Sequence, residues 1–432
     1  MLDIQFIRDN QDLIVLKSLQ KGYKIDVKEL TGCDEKIRKL LGEIEQVRAE
    51  RNRLSENSKG AKPSEEDIEK GKNLRNRISE LETELDPLVK KFDELIKKIP
   101  NISLDDVPVG ESEADNQVAK TVGEPTKLDF EPKSHGRLGE ERGFIDKERA
   151  AKVSGARFAY VKGNLVLLQF AIIQFVISVL TDPDILKTII QDNNLEISDK
   201  PFTPILPPAL VRTDAYEASA RLNAAEMTYK LENDDLWLNA SAEHTLCNMY
   251  MDEILPESSL PLRYIGFSTS FRREAGTYGK DTEGLLRMHQ FDKLEMEVFS
   301  DQQTGLNEHK FLIAIQEYLM KKLDLPYHVL MKCTADIGKP NARGVDIEAW
   351  FPSENKYRET HTADYMTDYQ ARRLKTRYKT ADGQTKLVHT NDATAFALGR
   401  TMATIMENYQ TKDGRVKIPE VLRKFMFNMD EI

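Results

Sequence analysis

Cysteine is scarce in this chain: Cys33, Cys247 and Cys333 are the only three in 432 residues. Their odd number, wide spacing and lack of any C-x-x-C pair exclude a disulfide framework and a zinc knuckle, and fit a reducing compartment. Long apolar runs are also missing. Met1–Arg8 carries Asp3 and no apolar h-region, so no secretory signal is expected. The longest run, Leu165–Leu180, is interrupted by Gln169, Gln174 and Ser178 and falls short of the roughly 20 residues a bilayer span needs. It reads as a buried core helix, which leaves no membrane association and a cytoplasmic location as the expectation. Absent too are G-x-G-x-x-G after a strand and G-x-x-x-x-G-K-[ST], which argues against Rossmann and P-loop nucleotide sites. Positive charge is short: 62 Lys and Arg against 72 Asp and Glu give a formal net charge of -10. That alone disfavours a nucleic-acid binder, because phosphate neutralisation needs cations. Net charge averages over domains, however, so a locally basic surface stays open.

What is present begins with length. With 432 residues and 40% apolar composition the chain has enough material for two or three packed domains. Between Leu30 and Ile99 lie two heptad seams. Leu30, Cys33, Ile37, Leu40, Ile44, Val47 and Leu54 form the first, with Arg51 its one charged interruption; Leu74, Ile78, Leu81, Leu85, Leu88, Phe92, Leu95 and Ile99 form the second. The turn-rich break Asn57–Pro63 separates them, and Ser64 with Asp67 supplies a capping-box restart. An antiparallel helical hairpin follows, each helix burying its seam on the other, in an arm of about 45 Å. A dimerisation coiled coil is the competing reading of the heptads; the break favours folding back within one chain. Lys36, Arg38, Lys39, Arg48, Arg51, Arg53, Arg75 and Arg77 face solvent, where charge is usually just hydrated.

Pro100-Asn101 ends the arm, and the acidic, Pro-, Gly- and Ser-rich stretch to Pro132 reads as a linker. The expected domains are 1–100, a linker 101–132, and 133–432. In the last, β-like runs (Leu262–Ser268, Val345–Phe351, Arg377–Tyr378) alternate with helical ones (Glu308–Leu323, Gly399–Gln410), which predicts an α+β domain on an antiparallel sheet flanked by helices. No repeat at a fixed period is visible.

The densest cluster of chemistry-bearing residues is Phe271-Arg272-Arg273-Glu274-Ala275-Gly276, followed after a Gly-rich stretch by Arg287–Glu295. Two strands joined by a long loop with Gly276, Gly279 and Gly284 are predicted. Arginine forks for phosphate, a Glu274 acceptor and the Phe291 ring are what an adenine nucleotide requires. A surface hairpin laced with ion pairs is the plainer alternative.

These two segments closely resemble motif 2 of class II aminoacyl-tRNA synthetases in the form that seryl-tRNA synthetases carry. Ile205–Leu210, with Pro208, resembles motif 1, and Gly399-Arg400-Thr401 to Gln410 resembles motif 3. Further blocks similar to the family are Pro100–Gly110, Ala151–Phe158, Leu325–Tyr327, Asp346–Glu348, Tyr357–Thr362 and Asp368–Arg373, so the likeness spans nearly the whole chain. It implies a class II catalytic domain behind a tRNA-binding helical arm, in a homodimer that uses ATP, Mg²⁺, L-serine and tRNA(Ser), with tRNA(Sec) a further candidate. The arm's basic positions would then meet tRNA phosphates, which position RNA without reading bases.

Carried over by position, Arg272 would hold the α-phosphate and the substrate carboxylate, and Arg287 the β- and γ-phosphates. Glu274 would accept from the adenine amino group, with Phe291 stacked on one adenine face and Arg400 on the other. Glu359 and Thr362 match the Mg²⁺ ligands. Ser241, Glu295, Asp392 and Thr394, with Arg272, match the serine-binding set, Glu295 accepting from the substrate hydroxyl. The resemblance assigns no base role to His244, His289, His361 or His389.

The chain also departs from the family. Thr362 stands where Ser is usual, and Ser241-Ala242-Glu243 where Thr-Ala-Glu is common. Asp392 replaces a usual Asn, and is expected to be ionised beside Arg272 and the substrate ammonium. A Gly-rich stretch reads Ala393-Thr394-Ala395, and no Gly-Thr-Gly-like segment is recognisable in Ala218–Met227. Two other readings remain: a paralogue that passes a small amino acid to a carrier protein, and a non-catalytic tRNA-binding homologue. Lack of the arm would mark the first, loss of Arg272, Glu274, Arg287, Glu359 or Arg400 the second.

Overall fold

The computed structural model describes residues 1–57, 64–222, 227–274 and 284–432. Contacts divide the chain into two compact units, Met1–Ile102 and Ser103–Ile432.

The first unit is helical: α1 (Ile4–Asp9), α2 (Gln11–Gln20), α3 (Val27–Asn57) and α4 (Glu65–Lys98). Asp3 caps α1 by accepting from the amides of Gln5 and Phe6. Ser64 and Asp67 form the reciprocal capping box that starts α4, which satisfies amides an uncapped helix would leave unpaired. Helices α3 and α4 run antiparallel. Low numbers on one meet high numbers on the other, as in the ion pairs Glu29–Lys91 at 2.7 Å and Arg48–Glu82 at 2.6 Å. Leu40, Ile44 and Leu81 are buried between them, flanked by Val47, Leu85 and Leu88. With 31 and 34 residues the two helices are about 45–50 Å long. Ser58–Pro63, the tip of the predicted turn, lies outside the described residues.

The second unit is built on an eight-stranded sheet. In chain order its strands are β1 (Gln117–Val122), β2 (Thr203–Ile205), β3 (Leu262–Phe271), β4 (Gln290–Ser300), β5 (Tyr327–Met331), β6 (Arg343–Phe351), β7 (Lys356–Thr367) and β8 (His389–Ala397). Their spatial order is β1-β5-β6-β7-β8-β4-β3-β2, antiparallel except for the last pair. The stretch read as a linker is therefore only partly one: Gln117–Val122 pairs with Tyr327–Met331 as an edge strand. Its side chains are almost all exposed, so it lacks the alternation that marks a half-buried strand.

Helices α5 (Asn164–Leu180), α6 (Gly305–Lys322) and α7 (Leu398–Asn408) belong to the core. Helix α5 is the apolar run noted above. Leu165, Leu168, Ile172, Phe175, Val176 and Val179 recur at three- and four-residue steps and are buried, each such side chain contributing about 1.5–3 kcal/mol. Among the described residues no single helix is long and apolar enough to cross a membrane.

Parity along the strands decides what faces where. Leu294, Met296 and Val298 of β4, Val345, Ile347 and Ala349 of β6, Ala363 of β7, and Ala393 and Ala395 of β8 enter the apolar core. Their neighbours point the other way. Thus Lys293, Asp346, Glu348, Thr362, Asp364, Asp392 and Thr394 line one cavity of about 1060 Å³ on the opposite face.

Candidate active site

Nine of the eleven residues singled out in the sequence line this cavity: Arg272, Glu274, Arg287, Phe291, Glu359, Thr362, Asp392, Thr394 and Arg400. The other two, Ser241 and Glu295, are fully buried just beneath it. Gly276 and Gly279 of the predicted loop, and residues 223–226 of Ala218–Met227, lie outside the described residues.

At one end of the cavity the arginines are held in readiness. Arg287 donates to Glu274 at 2.7 Å. Arg400, from the first turn of α7, donates to both the backbone carbonyl and the carboxylate of Glu359, at 2.8 and 2.9 Å. Arg272 donates through Nε to the Ala240 carbonyl at 3.1 Å, and its guanidinium lies 5.1 Å from the Phe291 ring centre. An anionic ligand here would exchange carboxylate partners for phosphate. Partial desolvation opposes ionisation of Glu359, whose side chain is half exposed, but Arg400 and Lys332 hold its carboxyl below the ordinary range.

The deep end is a network the sequence reading only half saw. Lys293, on β4, donates to Ser241 Oγ at 2.9 Å and forms an ion pair with Glu295. Glu295 also faces the hydroxyls of Ser241 at 3.5 Å and Thr394 at 3.4 Å. Burial raises the Glu295 carboxyl to about 8, with Glu243 and Asp392 adding to the rise and Lys293 opposing it. Glu243 behaves in the opposite way: burial pushes it up, yet Lys293, His244 and Arg221 hold it well below its usual value. Its neighbour His244 bonds through Nδ1 with Tyr216 at 2.6 Å, and burial lowers it to about 3, so it is neutral. His289 Nδ1 bonds the Arg272 carbonyl at 2.8 Å and braces motif 2.

Asp392 requires a correction. Its ion-pair partner is Arg221, not Arg272. Burial, with Glu243 and Asp364, raises the Asp392 carboxyl to about 7 against the pull of Arg221. In the β7–β8 register Asp364 stands directly opposite Asp392. Asp364 pairs in turn with Lys332 at 3.1 Å, and Lys332 also meets Asp346 at 3.2 Å and Thr362 Oγ1 at 2.7 Å. Burial disfavours the Lys332 ammonium, but Asp346 and Asp364 outweigh it and keep it charged. Gly344 leaves room for this cluster, since a Cβ there would lie 2.8 Å from Asp364 Oδ1.

Lys293, Arg221, Lys332 and Glu243 had no role in the sequence reading. Lys293 was within reach: Phe291, Lys293, Glu295 and Glu297 alternate along one strand, and strand parity sends all four side chains to one face. Arg221 gave no such signal, since it reaches the site from a loop.

A cavity lined by arginines, on an antiparallel sheet closed by the α7 helix, defines the class. Residues 228–409 match the tRNA synthetase class II core domain (G, H, P, S and T). Residues 1–103 match the seryl-tRNA synthetase N-terminal domain. The chain is 37% identical to the serine–tRNA ligase of Symbiobacterium thermophilum over 98% of each sequence, and 38% identical to that of Methanocella arvoryzae over 100% of each. Among solved structures it resembles the Pyrococcus horikoshii seryl-tRNA synthetase complexed with ATP, with TM-score 0.87, 36% identity, and coverage of 100% of this chain and 99% of that one. The chain belongs to the seryl-tRNA synthetase family.

Proposed function

We infer that this chain is a serine–tRNA ligase that joins L-serine to ATP as seryl-adenylate and passes the seryl group to the 3′ end of tRNA(Ser). The observation that carries the reading is the division of one cavity into a cationic end and a hydroxyl-reading end, in a chain that aligns end to end with named serine–tRNA ligases. Arg272, Arg287 and Arg400 suit a triphosphate, and Glu274 and Phe291 an adenine. Ser241, Glu295 and Thr394, organised by Lys293, suit an amino acid carrying one hydroxyl. Glu295 Oε1, buried with no hydrogen-bond partner among the described residues, discriminates against alanine, which would leave it unpaired.

The serine carboxylate attacks the α-phosphorus of ATP, pyrophosphate leaves, and the terminal tRNA hydroxyl then takes the acyl group from AMP. No side chain has to form a covalent intermediate. The arginines orient the reactants and meet negative charge as it moves onto pyrophosphate. Glu359 and Thr362 are hard oxygen donors facing the cavity, and few protein ligands alongside phosphate oxygens is how Mg²⁺ is usually held. When bound, Mg²⁺ would neutralise charge on the β- and γ-phosphates.

The helical arm is the part that meets tRNA. Arg38, Arg48 and Arg77 are partly committed to Asp34, Glu82 and Glu43. Lys36, Lys39, Arg51, Arg53 and Arg75 make no ion pair among the described residues and are the better phosphate contacts. A homodimer with a cytoplasmic location completes the proposal. Leu206, within the motif 1 segment, is 79% exposed, which suits a surface covered by a second copy.

Serine-dependent ATP–pyrophosphate exchange tests the reading. Arg272→Ala or Arg400→Ala is expected to lower it by at least about a hundredfold, the usual effect of deleting one preorganised charge partner. Wild-type exchange in either variant, with the fold intact by circular dichroism, would remove that arginine from the site.

A further inference from the structure

We propose that Arg221 is a positioning residue for the amino-acid subsite, acting through its ion pair with Asp392 to keep Lys293 on Glu295 and Ser241. The proposal rests on the reading of Ser241, Glu295 and Thr394 as that subsite.

Asp392 and Thr394 are two apart on β8 and share its cavity face, with Glu297 and Glu295 opposite them on β4. Asp392 is thus the next rung below the pair read as sensing the substrate hydroxyl. An unneutralised carboxylate there would compete for another cation, and after Arg221 the cation that acts most strongly on Asp392 is the Lys293 ammonium. Drawing Lys293 away would strip Ser241 and Glu295 of their donor. Arg221 neutralises Asp392 in place.

The loop that carries Arg221 is built to deliver it. Arg373 Nε donates to the Ala218 carbonyl at 2.9 Å, fixing the end of the short helix Thr213–Ala218. Gln370, fully buried, donates to the Ser219 carbonyl at 3.0 Å and accepts from Thr390 Oγ1 at 2.8 Å. Thr390 lies on β8 two residues before Asp392, so one side chain ties the Arg221 loop to the Asp392 strand. Ala220 takes a φ of 60°, a strained conformation for a residue with a Cβ, and turns the chain immediately before Arg221. The Arg221 side chain is 14% exposed, lines the cavity, and its buried Nε has no hydrogen-bond partner among the described residues. A guanidinium with one edge on Asp392 and a spare buried donor is not packed merely as filler.

The test is a double-mutant cycle in the full-length protein, read by ATP–pyrophosphate exchange with separate titrations of serine and ATP. Arg221→Met and Asp392→Asn are each expected to raise the serine KM about tenfold or more while the ATP KM stays within about twofold, and the double variant to be no worse than the weaker single. Arg221→Lys should recover a substantial part of the loss, because it restores the charge. The unchanged ATP KM guards against misfolding, and Asp392→Asn is close to isosteric. Losses that multiply in the double variant, or a serine KM unmoved in both singles, would overturn the assignment. Glu295→Gln separates the two levels: if it raises the serine KM while the Arg221 variants do not, only the role of Arg221 fails. If it has no effect, the serine subsite itself is misplaced.

Discussion

Glu297 lies on the cavity face of β4, fully buried, and neither carboxylate oxygen has a hydrogen-bond partner among the described residues. Burial, reinforced by Asp392, raises its carboxyl well above the ordinary value, so it is held as the neutral acid. The sign of the linkage follows. Where the folded pKa exceeds the unfolded one, the folded state binds more protons, and stability falls as pH rises from the unfolded value toward the folded one. Glu297→Gln is expected to flatten the decline of Tm between mildly acidic and mildly alkaline pH, measured by differential scanning calorimetry; an unchanged slope would show that Glu297 is not the group responsible. Gly344 allows a second check. Gly344→Ala should press on Lys332 and Asp364 and weaken exchange while leaving overall helix and strand content alone. At this scale the sequence was legible where chemistry follows a motif: the three arginines, Glu274 and Phe291 line one cavity, and Glu295 is buried beneath it. Arg221, Lys332 and the partner of Asp392 were illegible, because ion pairs between a loop and distant strands leave no local pattern.

Among the elements, the heptad seams and the capping box of the arm could be read directly, because period and caps are local properties of a helix. The edge strand Gln117–Val122 could not, since exposure on both sides removes the alternation that reveals a strand. Each unit has its own apolar core: Leu40, Ile44 and Leu81 in the arm, and the large cluster around the sheet in the second unit. A chain starting at Ser103 is therefore expected to retain serine-dependent exchange and to lose aminoacylation of tRNA by orders of magnitude. Parallel loss of both activities, in a protein that still melts cooperatively, would contradict this division of labour.

At the level of the whole molecule, Leu206 is 79% exposed, and Ile254 and Phe170 are each 51% exposed. Isolated apolar side chains on a surface are ordinary, but Leu206 lies in the segment that resembles motif 1. Sedimentation velocity is expected to find a dimer, and Leu206→Asp to shift it toward monomer; a wild-type chain that sediments as a monomer at micromolar concentration would refute the homodimer.

The side chains proposed to grip the reactants come from alternate positions on neighbouring strands. If β8 paired one residue out of step, Ala393 and Ala395 would face the cavity in place of Asp392 and Thr394. Such a molecule would stay compact, with nearly the same far-ultraviolet spectrum, yet it would have no place for substrate. Trapped adenylate per chain, measured in a refolded batch, would thus count the molecules that zipped correctly, and so detect a folding error to which spectroscopy is blind.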